Sequence, residues 1–534
     1  MRKPVGADES SADAPIGAHL RFGPVAALII GAILRFYALG MRSLWTDEGS
    51  TWTASTLPLH DLLERCVRRD ASPPLYYLLS AAALRLGNDE AHLRLVSAIA
   101  SLAMVWLTYR LARLALPRSV STFAAVLTAL APFQVMYAQE ARTYTLVAAL
   151  TVGATVAYGT SLLRPTRGSW AALVLTTTLG LWTQTISALG GIAQGAIAVL
   201  TPEGRRKFLP WVGAIAASVV LYLPWAWYGR GLSEHLGSSH WYVPDPDAHS
   251  VFKVLRAAIM SPMPIVTAPP GSQLPGLDHW MPRQVAWGLV ALPPLVALAL
   301  TLPALLRRDG RGPLARLAWA GWLVPVVAVY IVSMRQPLLL ARYFVFVTPF
   351  LSVLYAIGIA TLPNRPARWI LGTWFILLSF VGLVRYERDY TKEPWRQVAA
   401  DIGARSAPGR TAVLVPYDVD PFAFYDRGLP RPVAAFEVSH PNEPFAAAFT
   451  PRELDELESA ARRDAAPYDE VWVIVRSPNS AVRREVAARA ERVAGEGRQL
   501  TERRQWDSFL GPLRVARFVR DSTVMRPAPA AAGR

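Results

Sequence analysis

The residues able to do chemistry gather in four short stretches between apolar runs. The first is Arg35 followed by Ser43-Leu44-Trp45-Thr46-Asp47-Glu48-Gly49. Adjacent carboxylates can act as a general base or help hold a metal ion. The bland alternative is a solvated loop whose acids sit beside Arg42. The second stretch is Asp70-Ala71-Ser72-Pro73-Pro74-Leu75-Tyr76-Tyr77, where the double proline bars a regular helix and fixes the entry angle of the next segment. The third, Tyr137-Ala138-Gln139-Glu140-Ala141-Arg142-Thr143-Tyr144, places an acid and a base near each other, free to pair or to meet lipid headgroups. The fourth is Ala341-Arg342-Tyr343, with Pro349 beyond it. An arginine there suits a phosphate, because its planar fork gives bidentate charge-assisted hydrogen bonds. Singly, these are turns, interface anchors and, for Arg35, a snorkelling side chain. Together they supply carboxylates to activate a nucleophile and guanidiniums to hold an anionic leaving group. That set suits displacement of a lipid-bound phosphate from a sugar carbon.

The elements that must position these residues are apolar and long. Of the 534 residues 52% are hydrophobic and only 18% charged, too little charge to cover a soluble fold of this size. Stretches at 22–39, 91–111, 120–136, 143–163, 170–183, 187–200, 208–227, 285–306, 317–333, 343–362 and 369–384 read as about eleven spans of a polytopic, all-α membrane domain. With the N-terminus inside, the inner loops hold Arg110/Arg113/Arg118, Arg164/Arg167, Arg205/Arg206/Lys207, Arg307/Arg308/Arg311/Arg316 and Arg365/Arg368. That is the asymmetry expected of cytoplasmic loops. All four reactive stretches then lie on the outer side. In the first outer loop, 56–69 has the spacing of an interfacial helix, and 75–86 is an apolar helix too short to span comfortably.

The net charge of +16 does not point to nucleic acid, since the basic residues sit in loops between spans rather than on one aromatic-interleaved face. The single Cys66 excludes an internal disulfide and a cysteine-cluster metal site. The expected division is a cytoplasmic tail (1–21), a membrane domain (22–386), an extracytoplasmic α/β domain (387–524) and a disordered end (525–534). In the α/β domain, strands at 411–415, 432–436 and 471–476 alternate with helices at 394–405, 451–463 and 480–494. Thr450-Pro451-Arg452-Glu453 reads as a helix start, with an N-cap, a proline at the first position and an early acid.

The ordered set Arg35-Phe36-Tyr37, Trp45-Thr46-Asp47-Glu48, Ser72-Pro73-Pro74-Leu75-Tyr76-Tyr77, Arg94-Leu95-Val96-Ser97, Tyr137-Ala138-Gln139-Glu140-Ala141-Arg142, Ala341-Arg342-Tyr343 and Glu393-Pro394-Trp395-Arg396 resembles glycosyltransferase family 39. This group holds protein O-mannosyltransferases, bacterial aminoarabinose transferases and bacterial relatives of the GT-C fold. The resemblance implies a sugar carried on a polyprenyl phosphate and delivered to a lipid, glycan or protein acceptor on the outer face of a bacterial plasma membrane. It implies catalytic roles for Asp47 with its neighbour Glu48, and for Glu140. Arg142, Arg342, Tyr343 and Arg35 would meet the donor phosphate, and Trp45, Ser72, Tyr76, Tyr137 and Gln184 would line the cavity. Two positions depart from the family pattern. Ser72 stands where many relatives carry His or Lys before the double proline, and Thr183-Gln184-Thr185 replaces a Thr-His-Tyr-like element. Neutralising the donor phosphate would then fall to Arg68, Arg69 or Arg142, unless the donor differs or activity is reduced.

The expected reaction is an inverting displacement with Asp47 as general base, with a divalent cation as an optional cofactor. The rivals are a flippase or transporter of lipid-linked intermediates, and a non-catalytic polyprenyl-lipid binder. A transporter would place its charges mid-span, whereas here they cluster at one edge.

Overall fold

The structure, a computed structural model, describes residues 23–68, 72–231, 246–259, 263–268, 272–336, 338–407, 409–417, 419–428, 433–438, 450–476 and 481–520. The expected N-terminal tail, the expected disordered end, and Arg69, Asp70 and Ala71 lie outside the described residues.

Apolar helices dominate the first three-quarters of the chain. They begin with α1 (Gly23–Phe36), then three shorter helices, α2 (Thr46–Thr56), α3 (Leu59–Arg68) and α4 (Leu75–Leu84). The long α5 (Glu90–Ala112) leads to a pair, α6 (Arg118–Leu130) and α7 (Pro132–Ala138), bent by 55°. Pro132 explains the bend, because it lacks an N–H and restrains Ala131 to extended backbone. Next come α8 (Tyr144–Leu163), α9 (Arg167–Thr183), α10 (Ala188–Leu200), α11 (Phe208–Tyr228), α12 (Ala248–Ile259), α13 (Arg283–Ala299) and α14 (Arg311–Ser333). A 3₁₀ turn at Ala341–Val347 opens α15 (Thr348–Thr361), and α16 (Arg365–Asp389) is the last apolar helix.

Seven described helices are long and apolar enough to cross a membrane, or eight if the bent pair counts as one span. The expected number was about eleven. The other three expected spans correspond to α1, α9 and α10, with 14, 17 and 13 residues, short of the roughly 20 a bilayer core asks for. The outward faces carry the membrane signature: Leu209 is 78% and Ile370 71% exposed, with Trp369, Leu306 and Val220 beside them in character. Such faces would drive aggregation in water and are at home against lipid. The chain is a multi-pass membrane protein.

After α16 the pattern changes to α17 (Trp395–Arg405), β1 (Thr411–Val415), α18 (Asp420–Asp426), β2 (Ala434–Glu437), α19 (Pro451–Ala465), β3 (Glu470–Arg476), α20 (Ala481–Gly495), β4 (Gln499–Trp506) and β5 (Leu513–Val519). The five strands form one sheet in the order β2-β1-β3-β5-β4, parallel through β2-β1-β3 and antiparallel through β3-β5-β4. All five residues of β1 are buried, as a central parallel strand requires. One face packs on Trp395, Val398, Ile402 and Phe422 of α17 and α18. The other packs on Ala461, Ala465, Val486 and Ala490 of α19 and α20. The expected start of α19 is a capping box, with Thr450 Oγ1 accepting from Glu453 N and Glu453 Oε2 accepting from Thr450 N at 2.6 Å. The β4-β5 hairpin was missed. Gln499–Trp506 is an edge strand carrying Glu502, Arg503 and Arg504, and charge of that kind protects an edge while erasing the apolar signal.

Candidate active site

Asp47 stands at the second position of α2, after an extended Trp45 at the N-cap. Successive helical residues point about 100° apart, so the two acids diverge. The Asp47 side chain remains 27% exposed, whereas that of Glu48 is fully buried. Arg342 Nη1 lies 3.4 Å and Arg142 Nε 3.9 Å from Asp47 Oδ2. Arg142 Nη1 also donates to the Asp47 carbonyl at 3.3 Å. Both guanidiniums flank the ring of Tyr144, about 6 Å from its centroid, and Tyr144 touches Tyr137 and Tyr343. The outcome is a carboxylate between two arginines, backed by three tyrosines.

Behind this front lies a support layer. Tyr76 Oη and Ser97 Oγ are 2.7 Å apart, and Ser97 Oγ donates to the Arg142 carbonyl at 3.1 Å. Gln184 Oε1 accepts from Thr143 Oγ1 at 3.0 Å, next to Arg142. Tyr76 and Gln184 thus support Arg142 rather than reaching Asp47. Ser72 and Trp45 are both buried, 6% and 8% exposed.

Two expected roles are corrected by the geometry. Glu48 accepts from Arg94 Nε and Nη2 at 2.7 and 2.8 Å, from Lys392 Nζ at 2.9 Å and from Ala141 N at 2.9 Å. Burial alone would raise its carboxyl, but Arg94 and Lys392 overcome that and hold it at about 2. A general base must be reachable and able to take a proton; Glu48 is neither. It is a buried ion-pair hub, turned away from the exposed front that Asp47 presents. Arg35, expected at the donor phosphate, is fully buried among helices. It donates to Ser101 Oγ and to the carbonyls of Gly31, Ala129 and Thr128. Its role is to tie α1 to α5 and α6.

Glu140 lies between these cases. It is 3% exposed and accepts from Tyr390 Oη at 2.9 Å. Burial raises its carboxyl above the ordinary range, with Lys392 pulling the other way.

Reasoning from sequence gave no role to four participants. Arg94 uses all five guanidinium N–H directions, adding the carbonyls of Leu39, Arg42 and Ser43 to Glu48. An arginine inside an otherwise apolar span was its available signal. Lys392 and Glu393, adjacent opposite charges just past the last span, are both buried against the Asp47 loop. Tyr144 had only its place beside Arg142 to mark it.

A divalent cation does not fit this front. Among the described residues no group of three or more His, Cys, Asp or Glu could hold a metal. Two guanidiniums already flank the one exposed carboxylate.

Residues 71–228 match the model of the dolichyl-phosphate-mannose-protein mannosyltransferase family. No curated protein matches the chain in sequence. Among solved structures, apo ArnT from Cupriavidus metallidurans aligns with a TM-score of 0.57 at 14% identity, covering 92% of this chain and 97% of that one. The same protein bound to undecaprenyl phosphate gives 0.54 at 14% identity and the same coverage. The archaeal oligosaccharyltransferase AglB from Archaeoglobus fulgidus, in complex with an inhibitory peptide and a dolichol-phosphate, gives 0.51 at 12% identity, covering 95% and 75%. The chain therefore shares the fold of these structures over most of its length, with the protein mannosyltransferase family match carried by residues 71–228.

Proposed function

We propose that this protein is an inverting membrane glycosyltransferase that moves a sugar from a polyprenyl-phosphate donor to an acceptor on the outer face of a bacterial plasma membrane. The observation that carries the reading is the partly exposed Asp47 carboxylate between Arg142 and Arg342. In the reaction, Asp47 takes the proton from an acceptor hydroxyl or amine. The acceptor atom bonds to the anomeric carbon as the bond from that carbon to the phosphate oxygen breaks. Polyprenyl phosphate leaves with the electron pair, and Arg142 and Arg342 stabilise its growing charge. Attack opposite the leaving group inverts the anomeric centre.

Tyr343 and Tyr137 complete the wall of this site, and Glu140 acts on it electrostatically from behind. An apolar groove lined by Val251, Val254, Val326, Tyr330 and Leu339 ends three residues before Arg342. It is a suitable bed for the hydrocarbon of the lipid carrier. The membrane domain (22–386) supplies donor site and base, while 387–524 contributes to the acceptor side. Helices α3 and α4 act as interfacial elements over the cavity. The N-terminus is cytoplasmic in this reading.

The test is intact-lipid and glycoconjugate analysis of the host with and without the protein, complemented by the wild type or Asp47→Asn. Loss of one sugar from one conjugate, restored by wild type and not by the variant, is expected. Full restoration by a folded Asp47→Asn protein would exclude Asp47 as the base.

A further inference from the structure

The loop 40–48 carries Asp47, yet it does not hold its own shape. Ser43, Leu44, Trp45 and Thr46 are buried, so their polar groups need partners within the protein. Arg94 of α5 takes the carbonyls of Arg42 and Ser43, and several of the other partners come from the chain's other end. Arg396 Nη2 and Nη1 donate to the carbonyls of Gly40 and Met41 at 2.9 and 3.0 Å. The Arg396 amide donates to Ser43 Oγ at 3.2 Å. Leu44 N donates to Tyr425 Oη at 2.7 Å. Thr46 N and Oγ1 both donate to Glu393 Oε2, at 3.2 and 3.0 Å. Lys392 Nζ reaches Glu48 Oε2 at 2.9 Å.

Glu393 is the centre of this arrangement. Its fully buried carboxylate meets the first helical amide of α2, one residue before Asp47. A negative charge there complements the positive end of the helix. The same carboxylate is held by Trp395 Nε1 at 2.8 Å and paired with Arg476 of β3 at 2.5 Å. A continuous path of polar contacts therefore runs from the C-terminal sheet, through Arg476 and Glu393, to Thr46 and Asp47. Lys392 makes a second path to Glu48, the residue on the other side of Asp47.

We propose that Lys392 and Glu393 are positioning residues that clamp α2 from the C-terminal unit, so that the geometry of Asp47 depends on the docking of that unit. The functional part of this statement rests on the reading of Asp47 as the base; the clamp itself does not. Neither residue touches substrate. They act by fixing where the α2 start and its carboxylate stand.

The test is hydrogen exchange on the full chain in lipid nanodiscs, read for peptides covering 44–56 and the strands 411–415 and 470–476. Glu393→Ala should speed exchange across 44–56 about tenfold, the scale on which loss of one helix cap acts, while both strands keep their rates. Glu393→Gln, which retains an acceptor oxygen, should recover most of the protection. In the complemented host, product should fall with Ala and return with Gln. Unchanged exchange at 44–56 in Glu393→Ala overturns the proposal, as does an equal loss of protection in the strands. Should that variant fail to fold, Thr46→Val removes part of the same contact from the α2 side, and unchanged exchange there overturns it equally. If α2 loosens as stated but Asp47→Asn remains fully active, the clamp stands and the reading of Asp47 as the base falls.

Discussion

Asp47 and Glu48 are neighbours in sequence with opposite fates, decided by which way each leaves the α2 axis. Glu48 is stabilised by charges that themselves lie out of water, so its removal leaves Arg94 and Lys392 uncompensated. Glu48→Gln should destabilise the protein by about 3–5 kcal/mol, read as a lowered unfolding midpoint in detergent. The pH dependence has a definite sign. Its folded value, about 2, lies below the ordinary 4.5. Its contribution is therefore complete above pH 4.5 and is lost as pH falls from there through 2. Unfolding midpoints at pH 7, 5 and 3 should show that loss in the wild type and a weaker one in Glu48→Gln. On the front of the site, Arg342→Lys keeps the charge but loses the planar fork. If the proposed donor site is right, it should weaken binding of a polyprenyl phosphate roughly tenfold, measured by titration in nanodiscs. Asp47, Arg142 and Arg342 were legible as residue types at one membrane edge. The burial of Glu48 was not, because adjacent carboxylates look alike until the helix fixes their directions. Arg35 was misplaced for a related reason: spacing put it near a membrane boundary but could not show that a hydroxyl of α5 and carbonyls of α1 and α6 take its donors.

At the scale of elements, the contact that most restricts the site is α2 against α18. A Cβ on Gly49 would come within 2.6 Å of the Pro421 backbone nitrogen, a distance no real packing accepts. Arg65 reinforces the contact by pairing with Asp420 at 2.7 Å. Gly49→Ala should therefore push α2 from α18 and reduce product formation at least about tenfold, since small misplacements of a reacting group are costly. Glycoconjugate analysis of the complemented host, at matched expression of variant and wild type, would read it. The helices were largely legible from hydropathy, because lipid-facing runs leave a strong compositional trace. Lengths were less so. α1 ends at Phe36, before its 22–39 apolar stretch does, while α9 and α10, with 17 and 13 residues, follow stretches that were themselves short of a full span. β1 and β3 fell near their expected positions through their β-branched runs. β4 was invisible, as its exposed Arg and Glu residues imitate a loop.

Over the whole molecule, membrane domain and C-terminal unit share one set of buried polar contacts. A chain stopped after Glu387 loses Lys392, Glu393, Arg396 and Tyr425 together. It should still insert its helices, but residues 40–56 should become sensitive to protease added to the outer side, with product formation abolished. Limited proteolysis of oriented vesicles would check both parts. Nothing in local patterning reveals such a dependence. Hydropathy and periodicity describe segments one at a time, while the partner of Thr46 lies 347 positions away.

That separation also sets an order of events during synthesis. The loop bearing Asp47 leaves the ribosome early, with its inward-facing amides still unmatched. At about 5–20 residues per second, tens of seconds pass before Lys392 and Glu393 emerge. Through that interval every span must insert while the nascent α2 waits, exposed to water or to assisting proteins. On the proposed reading of Asp47, the geometry of the base is therefore acquired last, when Lys392 and Glu393 close back on α2.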